Sequence, residues 1–343
     1  MTPPEIVARV AARLAAAGIE NARFEAWLLL AAATGRARAE LMSGAAATLE
    51  PEHTARLDEL VRRRLAREPI AYILGEKEFW SLTFEVGPAV LIPRPETETV
   101  VQAVLHEIGN RTAALRILDL GTGSGCLLLA LLSELPEATG LGIDHSAAAL
   151  ALAKRNAKRL GLADRSRFWA GHWGESQEER FEVIVSNPPY VTEHAWTGLQ
   201  PEIREFEPKA ALVGGPDGLA AYHALAGDCA RLLARDGLCA LEIGCGQGDA
   251  VSRILSDHAL AVDARYDDLA GIERCLIARH CAWEPGRDRP QAQVSISRHR
   301  SEATRGARSD KWSAQPEELG PIAGEKKMEE VCERRGARLI RVK

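Results

Sequence analysis

The sequence predicts an α/β fold, a doubly wound and mostly parallel sheet preceded by a small N-terminal helical bundle. Three observations predict it. From about residue 95 to 281, apolar strand-like runs alternate with helical stretches. A glycine-rich loop joins the first of those strands to the helix after it. The first 70 residues, in contrast, space their apolar side chains three and four apart. In such a sheet a ligand belongs beyond the carboxyl ends of the strands.

Residues 1–72 read as helices. Thr2 can cap, Pro3 suits the first helical position, and Glu5 completes a capping box ahead of Ile6, Val10 and Leu14. Phe24, Leu28 and Leu29 begin a second apolar face, and Leu57, Leu60, Val61 and Leu65 a later one. Residues 73–94, rich in β-branched and aromatic side chains and broken at Gly75, Gly87 and Pro88, read as a β-hairpin connector. Residues 95–283 form the strand–helix region, opened by a helix over Val100, Val101, Val104, Leu105 and Ile108. Strands fit at 115–120, 139–144, 181–186, 237–243, 259–265 and 274–281, with helices near 125–134, 146–160, 217–234 and 247–256. Residues 284–343 are rich in Arg, Ser, Gly, Pro and Gln and lack apolar periodicity, so a disordered tail is expected there.

Composition narrows the function classes. The chain carries 43 Lys+Arg against 48 Asp+Glu, and the acidic excess lies within residues 1–283. That balance argues against a dedicated nucleic-acid binder. The longest apolar run, 26–33, is too short to span a membrane. No signal-peptide pattern opens the chain, and seven irregularly spaced cysteines suit a reducing compartment, so a cytoplasmic protein is expected. Cys239/Cys245 and Cys275/Cys281 lack C-x-x-C spacing, and no metal site is expected.

The strand at 115–120 runs into Gly121, Thr122, Gly123, Ser124 and Gly125. Glycines there let a ligand approach the backbone closely. The spacing is G-x-G-x-G, with Cys126 where a dinucleotide fingerprint wants Gly or Ala. Asp119, just before the loop, would repel a pyrophosphate and favour a cationic ligand such as the ammonium or sulfonium of S-adenosylmethionine. Asp144 ends the next strand and can accept hydrogen bonds from both ribose hydroxyls; the bland alternative is an Asp that caps the following helix. A second cluster, Gly244, Gly246 and Gly248, has its own acids in Glu242 and Asp267. It reads as a structural turn, because the next element lies one strand beyond Asp144.

That element is Asn187-Pro188-Pro189-Tyr190, after the strand at 181–186. The prolines stiffen the backbone and forbid a helix. The Asn187 side-chain oxygen and the Pro188 carbonyl can then accept both protons of one NH2 group, with Tyr190 as a flat face beside it. A clamp of this kind suits a conjugated, poorly nucleophilic nitrogen, because two acceptors favour the charge that develops on it during methyl transfer. The plain reading is a proline turn after a strand.

Together, residues 119–125 and 187–190 resemble the class I, Rossmann-like S-adenosylmethionine-dependent amino-methyltransferases. Further stretches (67–75, 91–98, 206–208 and 268–274) resemble the peptide chain release factor glutamine N5-methyltransferases, over about residues 1–283. The resemblance implies that Gly121, Thr122, Gly123, Ser124, Gly125, Asp144, Trp173 and Asn187 meet S-adenosylmethionine. It implies that Asn187, Pro188, Pro189 and Tyr190 hold the substrate, with Asn187, Pro188 and Tyr190 closest to the chemistry. The implied reaction is methylation of the side-chain amide of the Gly-Gly-Gln glutamine of class I release factors, held by the helical domain. His172 departs from the family, where an acid commonly precedes the Trp. Alternatives are a ribosomal-protein glutamine, a nucleic-acid adenine N6, or a non-catalytic cofactor-binding module; no membrane partner and no direct nucleic-acid substrate is expected. Residues 93–98 either shape the substrate entrance or simply start a helix at a proline, and Arg62, Arg63 and Arg64 read as a solvated helix face.

Overall fold

A computed structural model describes residues 1–43, 49–175 and 177–281, with the backbone of 293–294; the rest of the expected tail lies outside the described residues. The described chain divides into two compact units, one of Met1–Gly75 with Pro201–Phe206, the other built from Glu76–Gln200 and the residues from Glu207 on. No described helix is long and apolar enough to cross a membrane.

The first unit holds α1 (Pro3–Ala16), α2 (Ala22–Thr34), α3 (Arg38–Met42), α4 (Pro51–Leu65) and α5 (Ile70–Leu74). The capping box forms, the Thr2 amide donating to Glu5 Oε2 at 2.8 Å. Ile6, Val10 and Leu14 of α1 pack with Leu29 and Leu30 of α2 and with Leu57 and Val61 of α4. The arginine run divides. Arg62 is exposed and pairs with Glu59, whereas Arg64, three residues beyond Val61, is buried on the core side. Its guanidinium is compensated by Glu25 Oε2 at 2.6 Å and Glu202 Oε1 at 2.9 Å, and Arg67 reaches the other Glu202 oxygen at 2.8 Å. A buried cation persists when its donors are matched in this way.

The second unit begins with the hairpin β1 (Glu76–Phe79) and β2 (Leu82–Glu85), which belongs to this unit through its packing. The buried Asn156 amide joins the two parts: Oδ1 accepts from the Glu85 amide at 2.7 Å, and Nδ2 donates to the carbonyls of Glu85 and Ser124. After α6 (Glu98–Ile108) come β3 (Arg116–Leu120), α7 (Cys126–Glu134), β4 (Thr139–Asp144), α8 (Ala147–Arg159), β5 (Ser166–Ala170) and β6 (Phe181–Ser186). Short helices α9 (Glu193–Trp196) and α10 (Pro201–Phe206) lead to α11 (Ala220–Leu232), β7 (Leu233–Glu242), α12 (Gly248–Asp257), β8 (Leu260–Asp267) and β9 (Glu273–His280).

These strands form one sheet in the order β8-β9-β7-β6-β3-β4-β5, with Gln293–Val294 beside β8. All pairings are parallel except those of β9, which runs antiparallel to β7 and β8. Side chains alternate between two cores as the pleat requires. Ile117, Val183, Val185 and Ile277 face α6 and α7, while Leu118, Leu120, Ile184 and Leu276 face α11 and α12. This is the expected doubly wound, mostly parallel sheet of a class I methyltransferase fold. The sequence reading missed β5: it is an edge strand with an exposed Arg167 and Trp169, so it lacks the apolar run of its neighbours.

Gly142 on β4 lets the glycine loop and the edge strand close over the sheet. A Cβ there would lie 2.8 Å from Thr122 Oγ1 and 2.9 Å from Phe168. Gly142→Ala is therefore expected to lower stability by about 1–2 kcal/mol through overpacking. Chemical denaturation of the variant checks it; an unchanged midpoint would mean that the loop yields freely.

Candidate active site

The glycine loop turns from β3 into α7 through left-handed backbone at Gly121 (φ 77°), Gly123 (φ 54°) and Gly125 (φ 81°), a region that favours glycine. The amides of Gly121 and Thr122 both donate to the Ile143 carbonyl of β4 at 2.9 Å, which pins the loop to the strand ends. Asp144 closes the same corner. Its Oδ2 accepts from the Gly123 amide at 2.9 Å and its Oδ1 from the Ser146 amide at 2.8 Å. Ser146, not Asp144, supplies the side-chain cap of α8.

These groups line a cavity of about 410 Å³ at the carboxyl ends of β3, β4 and β6. Gly121, Thr122, Gly123, Ser124, Asp144, Trp173, Asn187, Pro188 and Pro189 all reach it. Two expected site residues do not line it: Gly125 caps α7, and Tyr190 turns its hydroxyl to Glu242 Oε1 at 3.2 Å while its ring packs against the core beneath. None of residues 244–248 lines it. That second glycine turn buttresses the clamp instead, Gln247 Nε2 donating to the Tyr190 carbonyl at 3.2 Å.

Asp119 is buried at the cavity floor. Its Oδ2 accepts from Thr122 Oγ1 at 2.6 Å, and its Oδ1 has no partner. Burial pushes its pKa up to about 7 against the Thr122 hydrogen bond, with the Asp144 charge adding to the rise. Glu242, at the end of β7, is also fully buried. Burial raises it to about 7, opposed by the nearby Thr97 hydroxyl, the Arg274 charge and the Tyr190 hydroxyl, while its Oε2 makes no hydrogen bond. Both acids take up protons at higher pH folded than unfolded. Above about pH 7 they are ionised in both states and the whole burial penalty is present; as pH falls toward about 4, the folded chain protonates first and their contribution to stability rises. Asp119→Asn is thus expected to shrink the gain in thermal midpoint between about pH 8 and about pH 5.5. An equal gain in variant and wild type would contradict the assignment.

Trp173 reaches the cavity with a strained, left-handed backbone (φ 45°), the kind of conformation that collects at functional sites. His172 and His145, neither of them assigned a role from sequence, stack at the cavity wall with centroids 5.7 Å apart. Residues 93–98 start a helix at a proline, and some of them also line the cavity. Pro95–Thr97 is a short 3-10 turn that starts α6, and Pro93, Arg94 and Thr97 line the cavity. Arg94 is held by Glu207 Oε1 at 2.5 Å, and the other Glu207 oxygen accepts from the Ile92 amide at 3.0 Å. Asn187 Nδ2 donates to Thr97 Oγ1 at 3.0 Å, so Oδ1 is left as the acceptor end of the amide. Sequence reasoning gave Thr97 and Glu207 no individual role. Their only signal was membership of the stretches at 91–98 and 206–208.

Two family models match the chain, a PrmC N-terminal domain over residues 5–75 and a methyltransferase small domain over residues 97–203. The release factor glutamine methyltransferase of Rhodospirillum rubrum is 42% identical over 280 residues, covering 81% of this chain and 85% of that protein. Those of Bradyrhizobium diazoefficiens and Caulobacter vibrioides are each 44% identical, covering 79% and 77% of this chain and 92% of each relative.

Proposed function

The chain belongs to the release factor glutamine methyltransferase family, and from that premise we propose that it methylates the side-chain amide nitrogen (N5) of the Gly-Gly-Gln glutamine of class I release factors, with S-adenosylmethionine as methyl donor. The residues fit that cofactor. Asp119 Oδ1, buried and unpartnered on the cavity floor, suits a cation and not a pyrophosphate. Asp144 and the amides of the glycine loop would hold the ribose and amino-acid portions, and Trp173 the adenine. When bound, S-adenosylmethionine supplies an electrophilic methyl group on a sulfonium.

The chain's own work is positioning and charge stabilisation. Asn187 Oδ1 and the Pro188 carbonyl accept the two protons of the glutamine NH2, which orients the nitrogen and favours the positive charge it gains in the transition state. Pro188 and Pro189 keep both acceptors rigid. Tyr190 supports the clamp from beneath through Glu242. No general base is required, because the N–H proton becomes acidic once nitrogen carries the methyl group. The helical unit would receive the protein substrate, and the reaction belongs to the cytoplasm, where translation terminates.

The observation that carries this reading is the Asn187 amide, oriented by Thr97 so that its acceptor end remains for a substrate NH2 in the cavity that also holds the glycine loop and Asp144. Purified protein with methyl-labelled S-adenosylmethionine should label a class I release factor, and not ribosomal proteins or DNA and RNA oligonucleotides. Preferential labelling of an oligonucleotide or a ribosomal protein would overturn it.

A further inference from the structure

Proline fixes φ, and a following proline also restricts ψ. Asn187 and Pro188 each precede a proline, but Pro189 precedes Tyr190. The ψ of Pro189 is therefore the first loose torsion of the run, and the prolines alone do not hold the chain where it leaves the clamp. We propose that Gln247, in the second glycine turn, is a positioning residue for methyl transfer: its side-chain amide locks the peptide plane that follows Tyr190 and so holds the clamp in its accepting geometry. The inference rests on the proposed role of Asn187 and Pro188 as the amide clamp.

The Gln247 side chain meets backbone groups of three segments. Its Oε1 accepts from the Gly244 amide at 2.9 Å, and its Nε2 donates to the Tyr190 carbonyl at 3.2 Å and to the Gly218 carbonyl at 3.4 Å. One donor and two acceptors match one carbonyl oxygen and two N–H groups, so the amide has a single satisfying orientation. The other half of the same peptide plane is held too. The Val191 amide donates to the Leu212 carbonyl at 2.8 Å, and the Gly214 amide to the Val191 carbonyl at 2.9 Å. Glycines let the backing chain come this close: a Cβ on Gly214 would run into the Pro189 carbonyl, and one on Gly218 into the Tyr190 carbonyl. Gln247 is itself fixed at the start of α12, its main-chain amide donating to the Gly244 carbonyl at 3.1 Å. Neither residues 212–218 nor residues 244–248 line the cavity, so the turn acts on the clamp and not on a bound ligand.

Two substitutions of matched length separate the hydrogen bonds from the bulk. Gln247→Met removes all three side-chain bonds, and Gln247→Glu keeps the acceptor for Gly244 while setting a carboxylate oxygen against two carbonyls. Hydrogen exchange, followed by NMR on the protein without ligand, reads the positioning directly. The wild-type Gln247 NH2 should exchange more slowly than a solvent-exposed glutamine, and Gln247→Met should speed exchange at the Val191 and Gly214 amides. Single-turnover methyl transfer to a release factor, with calorimetric S-adenosylmethionine affinity, reads the consequence. Both variants are expected to slow transfer about tenfold or more with cofactor and substrate saturating, Gln247→Glu further than Gln247→Met, and to keep cofactor affinity within about twofold of wild type. Wild-type transfer by both variants, or a loss of rate no larger than the loss of cofactor affinity, overturns the proposal. If neither variant folds, the wild-type side chain decides it: an NH2 that exchanges like an exposed glutamine overturns the proposal, and a protected one supports it. Absence of transfer by the wild-type protein would sink the functional reading alone, because exchange still decides whether Gln247 holds the clamp.

Discussion

Asn187→Ala is expected to slow single-turnover methyl transfer by on the order of 10²–10³, the loss seen when one preorganised hydrogen-bonding group is taken from a developing charge. The variant deletes the side-chain acceptor and leaves the Pro188 carbonyl alone to hold the NH2. It also strands the Thr97 hydroxyl oxygen, which now accepts from Asn187 Nδ2. S-adenosylmethionine affinity should change far less, because the glycine loop and Asp144 hold their geometry through separate backbone hydrogen bonds. Loss of cofactor affinity equal to the loss of rate would make Asn187 a cofactor residue and not a clamp. Asn187→Asp keeps an acceptor and should retain more activity than the alanine variant.

Asp144→Ala should weaken S-adenosylmethionine by about 1.5–3 kcal/mol, the range for hydrogen bonds to a charged group. The upper part of that range is expected. Beyond the ribose hydroxyls, Asp144 accepts the amides of Gly123 and Ser146, so its removal loosens the loop and the start of α8 together. Asp267→Ala, the equivalent change beside the second glycine turn, should do little, since residues 244–248 do not reach the cavity. Calorimetry on the two variants checks both statements, and a larger loss at Asp267 would mean that the cofactor belongs to the other loop.

Much of this was legible before any coordinates. The sheet could be read because β3, β6 and β7 are buried on both faces and so appear as near-continuous apolar runs. The edge strand β5 could not, for it has one open side and a polar sequence. The hairpin was visible, but its attachment was not: Asn156 lies 71 residues from Glu85, and a hydrogen bond at that separation leaves no local pattern. The same holds for Arg64, whose burial depends on Glu25 and on Glu202, 138 residues away. In the site, glycine spacing and the Asn-Pro-Pro-Tyr run name their residues because backbone conformation restricts the residue types. Thr97 and Glu242 carry no such signature. Thr97 meets Asn187 across 90 residues of sequence and Glu242 meets Tyr190 across 52, contacts that only the fold brings together. Tyr190 shows the converse, a motif residue whose side chain supports the cavity from beneath instead of lining it.

The most direct test of the central claim is site-resolved. A class I release factor is incubated with the purified protein and S-adenosylmethionine, digested, and mapped by mass spectrometry, beside a factor whose Gly-Gly-Gln glutamine is changed to alanine. The account predicts a single added methyl group on the amide nitrogen of that glutamine, none on the alanine control, and a signal lowered by on the order of 10²–10³ in initial rate with Asn187→Ala. Methylation of the control to the same extent, or an Asn187→Ala protein that works at the wild-type rate, would contradict it.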